Sequence, residues 1–503
     1  MAVAVLMATT AMAQTSGGVF RGEVRDESDA AVPHAQIEFH SAVTGLTVAA
    51  ESNGGGLYVS PNLIPGLWTL QAKKSGFRTE IAGPILLEVN QTVRVDFRLR
   101  VGEQSESVRV EAASGQMLAV ESAEISQVIG AKAVAEMPLN GRQWQQLILL
   151  SGGVNPGAPG ESGSPHPVNV YGQRTKGNLF LADGISVTSS AQGRGNSFNI
   201  PLEAVEEFSV QSGAYSAEFG DVAGAVINLQ SKSGTNDWHG SLFEFLRNDR
   251  LDASDFFSNA TGQRRNPLRY NQFGGSLGGP LRRGRTLFFA DYQATPVHNS
   301  APVVTSLPSA AQREGDFSAQ TAPIYNPFSS SPARTPFAGN VIPRSLADPA
   351  AWAISAALPF PNQFSAPGQP LAFNNYAMTR VSTSTVQSFD ARIDHQFTAA
   401  NSVFLRYSFQ NTDANVPSLF GPPLGGSLAG AGRTRARLQN AALGNIYQFS
   451  PSLFQEFRVG INRQTTFLTQ EDYGQDLSAG FGIPRTNISP ETSGLANLSI
   501  AGL

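Results

Sequence analysis

The segment that decides the fold is residues 201–236, PLEAVEEFSVQSGAYSAEFGDVAGAVINLQSKSGTN. It contains two apolar stretches that each predict a strand, and the small residues 223–225 stand directly before the second. Small side chains let a backbone approach another surface closely, so we expect this strand to lie against a neighbouring wall of protein. Glu206 and Glu207 are adjacent, but adjacent residues on a strand point to opposite faces. We therefore do not interpret them as a catalytic carboxylate pair.

Several phrases upstream of this segment occur in a characteristic order. They are VESAEISQVI (120–129), MPLNGR (137–142), WQQLILL (144–150), VNVYGQR (168–174) and NLFLADGI (178–185). The phrase at 144–150 has the apolar spacing of a helix. Together with 201–236, these phrases resemble the plug domain of Oar-like TonB-dependent receptors. Ala182 and the pair Gln230-Ser231 are the departures from the residues usual in that family.

The resemblance implies an outer-membrane receptor for TonB-energised uptake of a scarce solute, and not an enzyme. The implied partners are TonB with its inner-membrane energising complex, outer-membrane lipid, and an extracellular carbohydrate, peptide or iron chelate. It implies no cofactor and no catalytic or metal-binding residue, and the substrate-binding residues stay unknown. The alternative is a cell-surface carbohydrate-binding or adhesion protein that uses its N-terminal domain and extracellular loops without transport.

In receptors of this kind a short strand near the start of the plug, the TonB box, adds to a sheet edge of TonB. The candidate segment is SVRVEA, that is Ser107, Val108, Arg109, Val110, Glu111 and Ala112. Strand addition uses main-chain hydrogen bonds, so its sequence signal is weak. The segment is equally compatible with the last strand of the preceding domain or with a linker, and the sequence leaves these alternatives open.

The N-terminal part of the chain contains about seven short alternating segments with turn residues between them, which predicts a small antiparallel β-sandwich. Its most characteristic positions are Gly22, Val24, Asp26, Pro33 and the turns at 54–58, 65–66 and 75–77. These resemble the carboxypeptidase regulatory-like domain, which has a carbohydrate-binding-like fold. The segment holds neither a zinc-binding set nor a paired acid and base. We interpret Trp68 as a core residue, with sugar stacking as the alternative.

From Trp238 onward the apolar pattern has a period of two, most clearly in 388–397, 402–410 and 454–463. Segments of about 9 to 11 residues with one apolar face and one polar face are typical of transmembrane barrel strands. Further candidate strands are 238–248, 268–279, 285–294 and 436–449. The stretch rich in Pro, Ser and Ala at about 295–382 is expected to form a long extracellular loop.

The segment 274–278 matches the nucleophile pattern G-x-S-x-G but lies in an alternating strand, whereas that motif needs a strand-to-helix turn. About seven or eight barrel strands are found. A barrel that encloses a plug needs about 22 strands. We therefore expect the chain to be a fragment with an incomplete barrel.

The composition agrees with a chain of strands, turns and loops, since charged residues are only 15% and there are 50 Gly and 31 Pro. The net charge of −4 argues against nucleic acid as a partner. No cysteine is present, and the six histidines lack the spacing of metal ligands. Residues 1–13 resemble a signal peptide that lacks its basic start.

The predicted fold is mainly β. The predicted order is a signal peptide at 1–13, a β-sandwich in the periplasm at 14–101, a linker at 102–114, an α+β plug at 115–235 and barrel strands at 236–503.

Overall fold

The computed structural model describes most of the chain between residues 17 and 496. The predicted signal peptide and two residues of the candidate TonB box, Glu111 and Ala112, lie outside the described residues. The described ranges are 17–102, 107–110, 124–158, 167–188, 200–220, 222–254, 256, 259, 265–329, 334–421, 423–424, 431–450 and 453–496.

The first unit, here called the sandwich, consists of two sheets around one apolar core. Its strands are β1 (Val19–Asp26), β2 (Gln36–Ser41), β3 (Thr47–Glu51), β4 (Leu57–Val59), β5 (Gly66–Lys73), β6 (Thr79–Leu87), β7 (Thr92–Arg94), β8 (Phe97–Leu99) and β9 (Ser107–Val110). One sheet has the order β4-β1-β7, with β8 also pairing with β1, and the other has the order β3-β2-β5-β6-β9. The rings of Phe20, Phe39 and Tyr58 pack in a row between them.

The strand directions of the sandwich differ from the predicted antiparallel arrangement. β1 pairs in parallel with β7 and β8, and β9 pairs in parallel with β6. β7 and β8 are two separate strands and not one, and between them the N–H of Val95 donates to the carbonyl of Arg21 (2.8 Å). Gly22 allows this close approach, since a Cβ there would lie 1.8 Å from the oxygen of Val95. Alternation reports which face a residue occupies, and it does not report the direction of the neighbouring strand.

The second unit, here called the plug, is a mixed five-stranded sheet covered by short helices. Its elements are β10 (Ile125–Ile129), α1 (Ala131–Glu136), β11 (Val154–Pro156), β12 (Val168–Val170), β13 (Leu179–Ala182), β14 (Ile185–Ser186), β15 (Val205–Gly213) and β16 (Val226–Ser231). The sheet order is β10-β15-β16-β13-β14, and β11 pairs separately with β12. The helix predicted at 144–150 is a 3-10 helix, whose three-residue repeat turns Trp144 and Leu147 into the core together.

The third unit, here called the wall, is one antiparallel sheet whose seven described strands pair in chain order. The strands of this region are β17 (His239–Asn248), β18 (Leu268–Arg282), β19 (Thr286–Thr305), β20 (Phe364–Ala366), β21 (Gln369–Pro370), β22 (Tyr376–Thr398), β23 (Asn401–Val416), β24 (Gly432–Ser450) and β25 (Leu453–Thr469). β20 and β21 form a separate small hairpin, and the other seven form the wall. Each of the seven predicted barrel segments overlaps one of these strands, and only Trp238 and Arg285 fall outside them.

The two faces of the wall are distinct, as the period of two predicts. On β22, Asp390 and Arg392 are buried on the face that covers the plug, whereas Phe389 and Ile393 are exposed on the opposite face. Cross-strand pairing extends this division, because Phe389 is opposite Phe409 and Asp390 is opposite Ser408. We call the first face inward and the second outward.

The long loop predicted at about 295–382 is shorter and more ordered than expected. β19 continues to Thr305 and β22 begins at Tyr376, so the excursion between them is 306–375. It contains two helices, α2 (Ala310–Arg313) and α3 (Pro349–Ala357), and a third, α4 (Leu477–Gly480), follows the wall. Arg313 joins the two by donating to the carbonyl of Ser355 at 2.8 Å. Among the helices of the described ranges, none is long and apolar enough to cross a membrane.

Candidate functional site

The plug meets the wall at the tip of the hairpin between β13 and β14. Asp183 and Gly184 form this tip with φ angles of 50° and 77°, the conformation that an Asp-Gly turn favours. Asp183 is 1% exposed, so its carboxylate lies inside the protein and needs partners of opposite charge. The turn therefore delivers one negative charge from the plug to the inward face of the wall.

Two arginines of the wall bind this carboxylate. Arg392 on β22 donates to Asp183 Oδ1 at 3.0 Å, and Arg406 on β23 donates to Oδ2 at 2.5 Å. Ser231 of the plug adds bonds from its N–H (3.0 Å) and its hydroxyl (2.8 Å). Burial alone would raise the pKa of Asp183, but Arg392 and Arg406 hold this pKa below its ordinary value. The carboxylate is therefore ionised and forms a buried charged contact between plug and wall.

A wider polar network surrounds this contact. Arg392 also binds Asp394 on its own strand at 2.9 Å, and the hydroxyl of Ser233 donates to Asp394 at 2.8 Å. Arg406 donates to Ser408 at 2.6 Å, and Ser408 donates to Asp390. Within the described ranges, no group of three His, Asp or Glu side chains is placed to hold a metal ion. The arrangement is suited to holding and releasing a charged surface, since it consists of polar and charged groups whose hydrogen bonds water can replace.

A second plug–wall contact is made by Arg142, in the phrase MPLNGR. Gly141 and Arg142 both have a left-handed backbone conformation, with φ angles of 71° and 54°. Its guanidinium lies over the rings of Phe243 (4.5 Å) and Phe245 (4.4 Å) on β17, and it pairs with Glu203 of the plug. A planar cation can stack on aromatic rings while it binds a carboxylate.

Replacing Arg142 with lysine is expected to weaken this contact although the charge is kept. Lysine cannot stack both rings and bind the carboxylate in the same geometry, so we expect a loss of about 1 to 2 kcal/mol in the free energy of plug unfolding. Urea unfolding followed at a plug fluorophore measures this loss. The exposed Arg98 is the control position, and an equal effect of Arg142→Lys and Arg98→Lys would contradict the stacking role.

The sandwich contacts the plug through the turn between β6 and β7. The N–H of Val89 donates to the carboxyl of Glu207. Asn90 donates to Ser209 Oγ at 3.1 Å and accepts from Asn228 at 2.9 Å. Burial raises the pKa of Glu207 to about 8. The turn between β6 and β7 thus packs against the β15–β16 pair of the plug.

The adjacent carboxyls Glu206 and Glu207 have different surroundings. Glu207 faces the sandwich. Burial raises the pKa of Glu206, and the charges of Lys232, His239 and Arg392 oppose this rise. The pairing register of β15 with β16 shifts between Val205 and Glu207, which is where Glu206 lies.

The candidate TonB box lies partly in the sandwich. The backbone of Ser107–Val110 forms β9, paired in parallel with Thr79–Ala82 of β6 at the edge of the five-stranded sheet. The backbone of 107–110 therefore occupies the place of the last strand of the sandwich, which was the alternative interpretation. It leaves the second edge of β9 unpaired among the described strands.

Two other sequence candidates are structural. Trp68 is 2% exposed and its indole donates to the carbonyl of Ile64 at 2.9 Å, so it is a core residue and not a sugar-stacking surface. Ser276 lies inside β18 and bonds to the hydroxyl of Ser241 at 2.9 Å, with no strand-to-helix turn beside it.

The charged contacts of Asp183, Arg392 and Arg406 were not predicted. The available signal was the presence of Asp and Arg at the polar positions of strands whose other positions are apolar, because charges facing a protein interior need partners. The partner of Arg392 is 209 residues away in sequence, so no local pattern could identify it.

Family models match three successive parts of the chain. A carboxypeptidase regulatory-like domain matches residues 19–100, a TonB-dependent receptor plug domain matches 119–226, and an outer membrane beta barrel domain matches 230–503.

Two curated relatives align with parts of the chain. The TonB-dependent transporter Oar of Myxococcus xanthus is 30% identical over 260 residues, which cover 49% of this chain and 23% of that protein. The probable TonB-dependent siderophore receptor PirA of Acinetobacter baumannii is 31% identical over 116 residues, covering 21% of this chain and 15% of PirA. The chain thus spans less than a quarter of the length of these relatives.

The crystal structure of PirA from Acinetobacter baumannii aligns with 75% of this chain and 43% of its own, at 14% identity and a TM-score of 0.41. The outer membrane transporter YddB of Escherichia coli aligns with 69% of this chain and 40% of its own, at 11% identity and a TM-score of 0.44. The barrel model alone matches more than half of the 503 residues, and the plug model precedes it. The chain therefore belongs to the TonB-dependent receptors of the outer membrane, with its sandwich on the periplasmic side.

Proposed function

We propose that this chain is the anchoring and gating part of an outer-membrane receptor that takes up a scarce extracellular solute with energy supplied through TonB. The observation that carries the proposal is the way the plug is attached. The plug has its own apolar core, which only a few wall side chains such as Phe289 and Leu438 join. The ion pairs of Asp183 with Arg392 and Arg406 add a buried charged contact. Arg142 also stacks on two wall aromatics, and wall side chains such as Asn462 donate to plug carbonyls.

This attachment suits a plug that must move without unfolding the wall. Apolar burial would make displacement costly, because each buried apolar area must be exposed to water. Buried ion pairs exchange their partners for water when the surfaces separate, so their net contribution to stability is smaller than the bare attraction of the charges. A pull from the periplasm would then open the β13–β14 contact while the plug core stays intact.

The pull is proposed to act through the strand at 107–112. TonB would add a strand to the free edge of β9 or would take this strand from β6, in both cases through main-chain hydrogen bonds. Because β9 is at a sheet edge, its removal leaves the apolar core of the sandwich covered by β6 and β5.

Proline substitution at Val108 and Val110 tests this role in the complete protein. Proline lacks the N–H that strand addition needs, whereas alanine keeps it. We expect Val108→Pro with Val110→Pro to lower the affinity for the purified C-terminal domain of TonB at least about tenfold, equivalent to about 1.4 kcal/mol. The matched Val108→Ala with Val110→Ala variant should bind within about threefold of wild type.

The same measurement separates uptake from adhesion. A complete receptor that shows no TonB binding, with its wild-type sequence intact, would favour the alternative of a surface-binding protein. Equal TonB binding by the proline and alanine variants would instead remove the assignment of 107–112 while leaving TonB coupling in place. The solute stays within the classes of iron chelate, carbohydrate and peptide. A ferric siderophore is the first probe because PirA is named a siderophore receptor.

A further inference from the structure

The outward face of the wall carries a row of arginines. Arg433, Arg435 and Arg437 occupy alternate positions of β24 and are exposed, whereas Leu438 and Asn440 are buried on the inward face. Alternate residues of a strand lie about 7 Å apart, so the three guanidinium groups extend along about 14 Å. All three therefore face the surroundings of the barrel and not its interior.

Apart from Phe467, the neighbours of this row are polar, and they carry little negative charge. The aligned outward positions are Asn411, Asp413 and Asn415 on β23, Thr465, Phe467 and Thr469 on β25, and Thr383, Thr385 and Gln387 on β22. Asp413 is the one carboxylate among these positions; it binds Arg433 at 2.6 Å and lies 3.9 Å from Arg435. Three arginines and one aspartate leave a local charge of +2.

The side chains of β22 and β23 in this set, together with Arg433, line a shallow polar groove on the outward face. Arg437 lies beside it, with its guanidinium 5.5 Å from the ring of Phe409. The groove combines hydroxyl and amide groups with the ion pair of Arg433 and Asp413, and the excess positive charge comes from Arg435 and Arg437 next to it on β24. It has the chemistry of a surface that binds a phosphate attached to a sugar or a polyol.

The height of the row relative to the membrane follows from β24. Nine residues, 438–446, separate Arg437 from Tyr447, and a barrel strand crosses the hydrocarbon layer in about 9 to 11 residues. Tyr447 and Phe449 are exposed and their rings are 4.7 Å apart, as in an aromatic girdle. Gln448, between them, donates to Ala49 of the sandwich at 2.5 Å, which marks this end as periplasmic.

The arginine row therefore lies just outside the apolar band at the extracellular end, the end from which the excursion at 306–375 rises. We propose that this arginine row binds the phosphate groups of lipid headgroups in the outer leaflet of the membrane. One guanidinium group can bind two phosphate oxygens at once, and a cluster of arginines can recognise a headgroup that carries several phosphates. A soluble anion on its way through the barrel would meet the inward face, so the outward position selects a membrane lipid.

Binding of lipid A, a glucosamine disaccharide that carries two phosphates, tests the proposal. The complete protein in neutral detergent is titrated with lipid A, and retained lipid is measured by native mass spectrometry. We expect the triple variant Arg433→Gln, Arg435→Gln, Arg437→Gln to bind at least about tenfold more weakly than wild type.

The matched control removes the same charge from another exposed alternating row, with Arg94→Gln, Arg98→Gln and Arg100→Gln in the sandwich. It should bind lipid A within about twofold of wild type. The heat-dependent gel mobility of the barrel verifies that each variant is folded. Equal binding by the folded outward variant and wild type would overturn the proposal.

A measurement on the wild-type protein keeps the test independent of folding of the variants. Lipid A is compared with the same lipid after removal of both phosphates, and inorganic phosphate is added as a competitor. We expect the dephosphorylated lipid to bind at least about tenfold more weakly, and free phosphate to compete only in large excess. Equal affinity for both lipids, or saturable binding of free phosphate with no binding of lipid A, would contradict a lipid-headgroup site.

Discussion

Asp183→Asn is expected to detach the plug from the wall more than any other single substitution. Asparagine keeps the size of the side chain but removes the charge shared by Arg392 and Arg406, whose side chains are 3% and 1% exposed. Breaking a buried ion pair by removing one partner costs about 3 to 5 kcal/mol, because the other charge stays buried without compensation. Arg392 keeps Asp394, so Arg406 is the more strongly affected of the two.

The effect is measured as the free energy of plug unfolding in urea, in the complete protein. The chain contains no cysteine, so a single cysteine at the exposed Leu150 provides a specific fluorophore site. The matched control is Asp29→Asn, which breaks an exposed pair with Arg98 at 2.9 Å and should cost less than about 1 kcal/mol. Similar losses for the two variants would show that Asp183 does not hold the plug.

A double substitution distinguishes two causes of the lost stability, namely the lost attraction between opposite charges and the burial of an unpaired charge. Adding Arg406→Gln to Asp183→Asn removes the charge that the first change leaves unpaired. We expect the double variant to recover part of the stability, with an interaction energy of about 1 to 3 kcal/mol between the two positions. A strictly additive result would mean that the two side chains do not interact across the plug–wall contact.

Docking of the sandwich on the plug is expected to weaken as the pH rises. In the docked state burial raises the pKa of Glu207 to about 8, and the charges of Glu88 and Glu206 add to this effect against the bond from Val89. Once the sandwich separates, the carboxyl meets water and its pKa returns towards 4.5. Between these values the docked state holds a proton that the separated state has released.

The sign follows from this difference in bound protons. The contribution of Glu207 is fully present below pH 4.5 and is lost as the pH rises towards 8, by up to about tenfold in the docking equilibrium for each pH unit. Glu207→Gln cannot titrate but still accepts the bond from Val89, so its docking should depend on pH much less steeply than that of wild type. Docking is measured by the distance between spin labels at Leu57→Cys and Leu281→Cys, two exposed positions.

Glu27→Gln is the control for this experiment, since it removes an exposed carboxylate of the sandwich whose side chain is 63% exposed. It should retain the pH dependence of wild type. A flat pH profile in wild type, or an unchanged slope in Glu207→Gln, would contradict the role of this carboxyl.

Local patterns predicted the strands of the wall well. In 388–397 and 402–410 the alternation identified which side chains face outward, because the side-chain period of a strand is two regardless of its partners. It did not give the ends of the strands: β19 and β22 continue well beyond the apolar band, where neither face needs to be apolar. The loop at about 295–382 was therefore predicted to be too long.

The sequence also did not predict the strand directions in the sandwich or the type of helix in the plug. The pairing of β1 with β7 and β8 depends on the path of the chain between the two sheets, which leaves no mark on the alternation within either strand. Likewise, the apolar spacing of 144–150 suits an α-helix as well as the observed 3-10 helix over so short a segment.

The sequence by itself determined the class of the protein, the order of its three units and the two faces of each wall strand, because these depend on short-range periodicity and on the phrases from 137 to 236. Tertiary structure alone decided which charges meet. Asp183 reaches Arg392 and Arg406 only because a tight turn places it opposite two strands more than 200 residues away. The same holds for the arginine row of β24. Its position relative to the membrane follows from the apolar band, which only the assembled sheet defines.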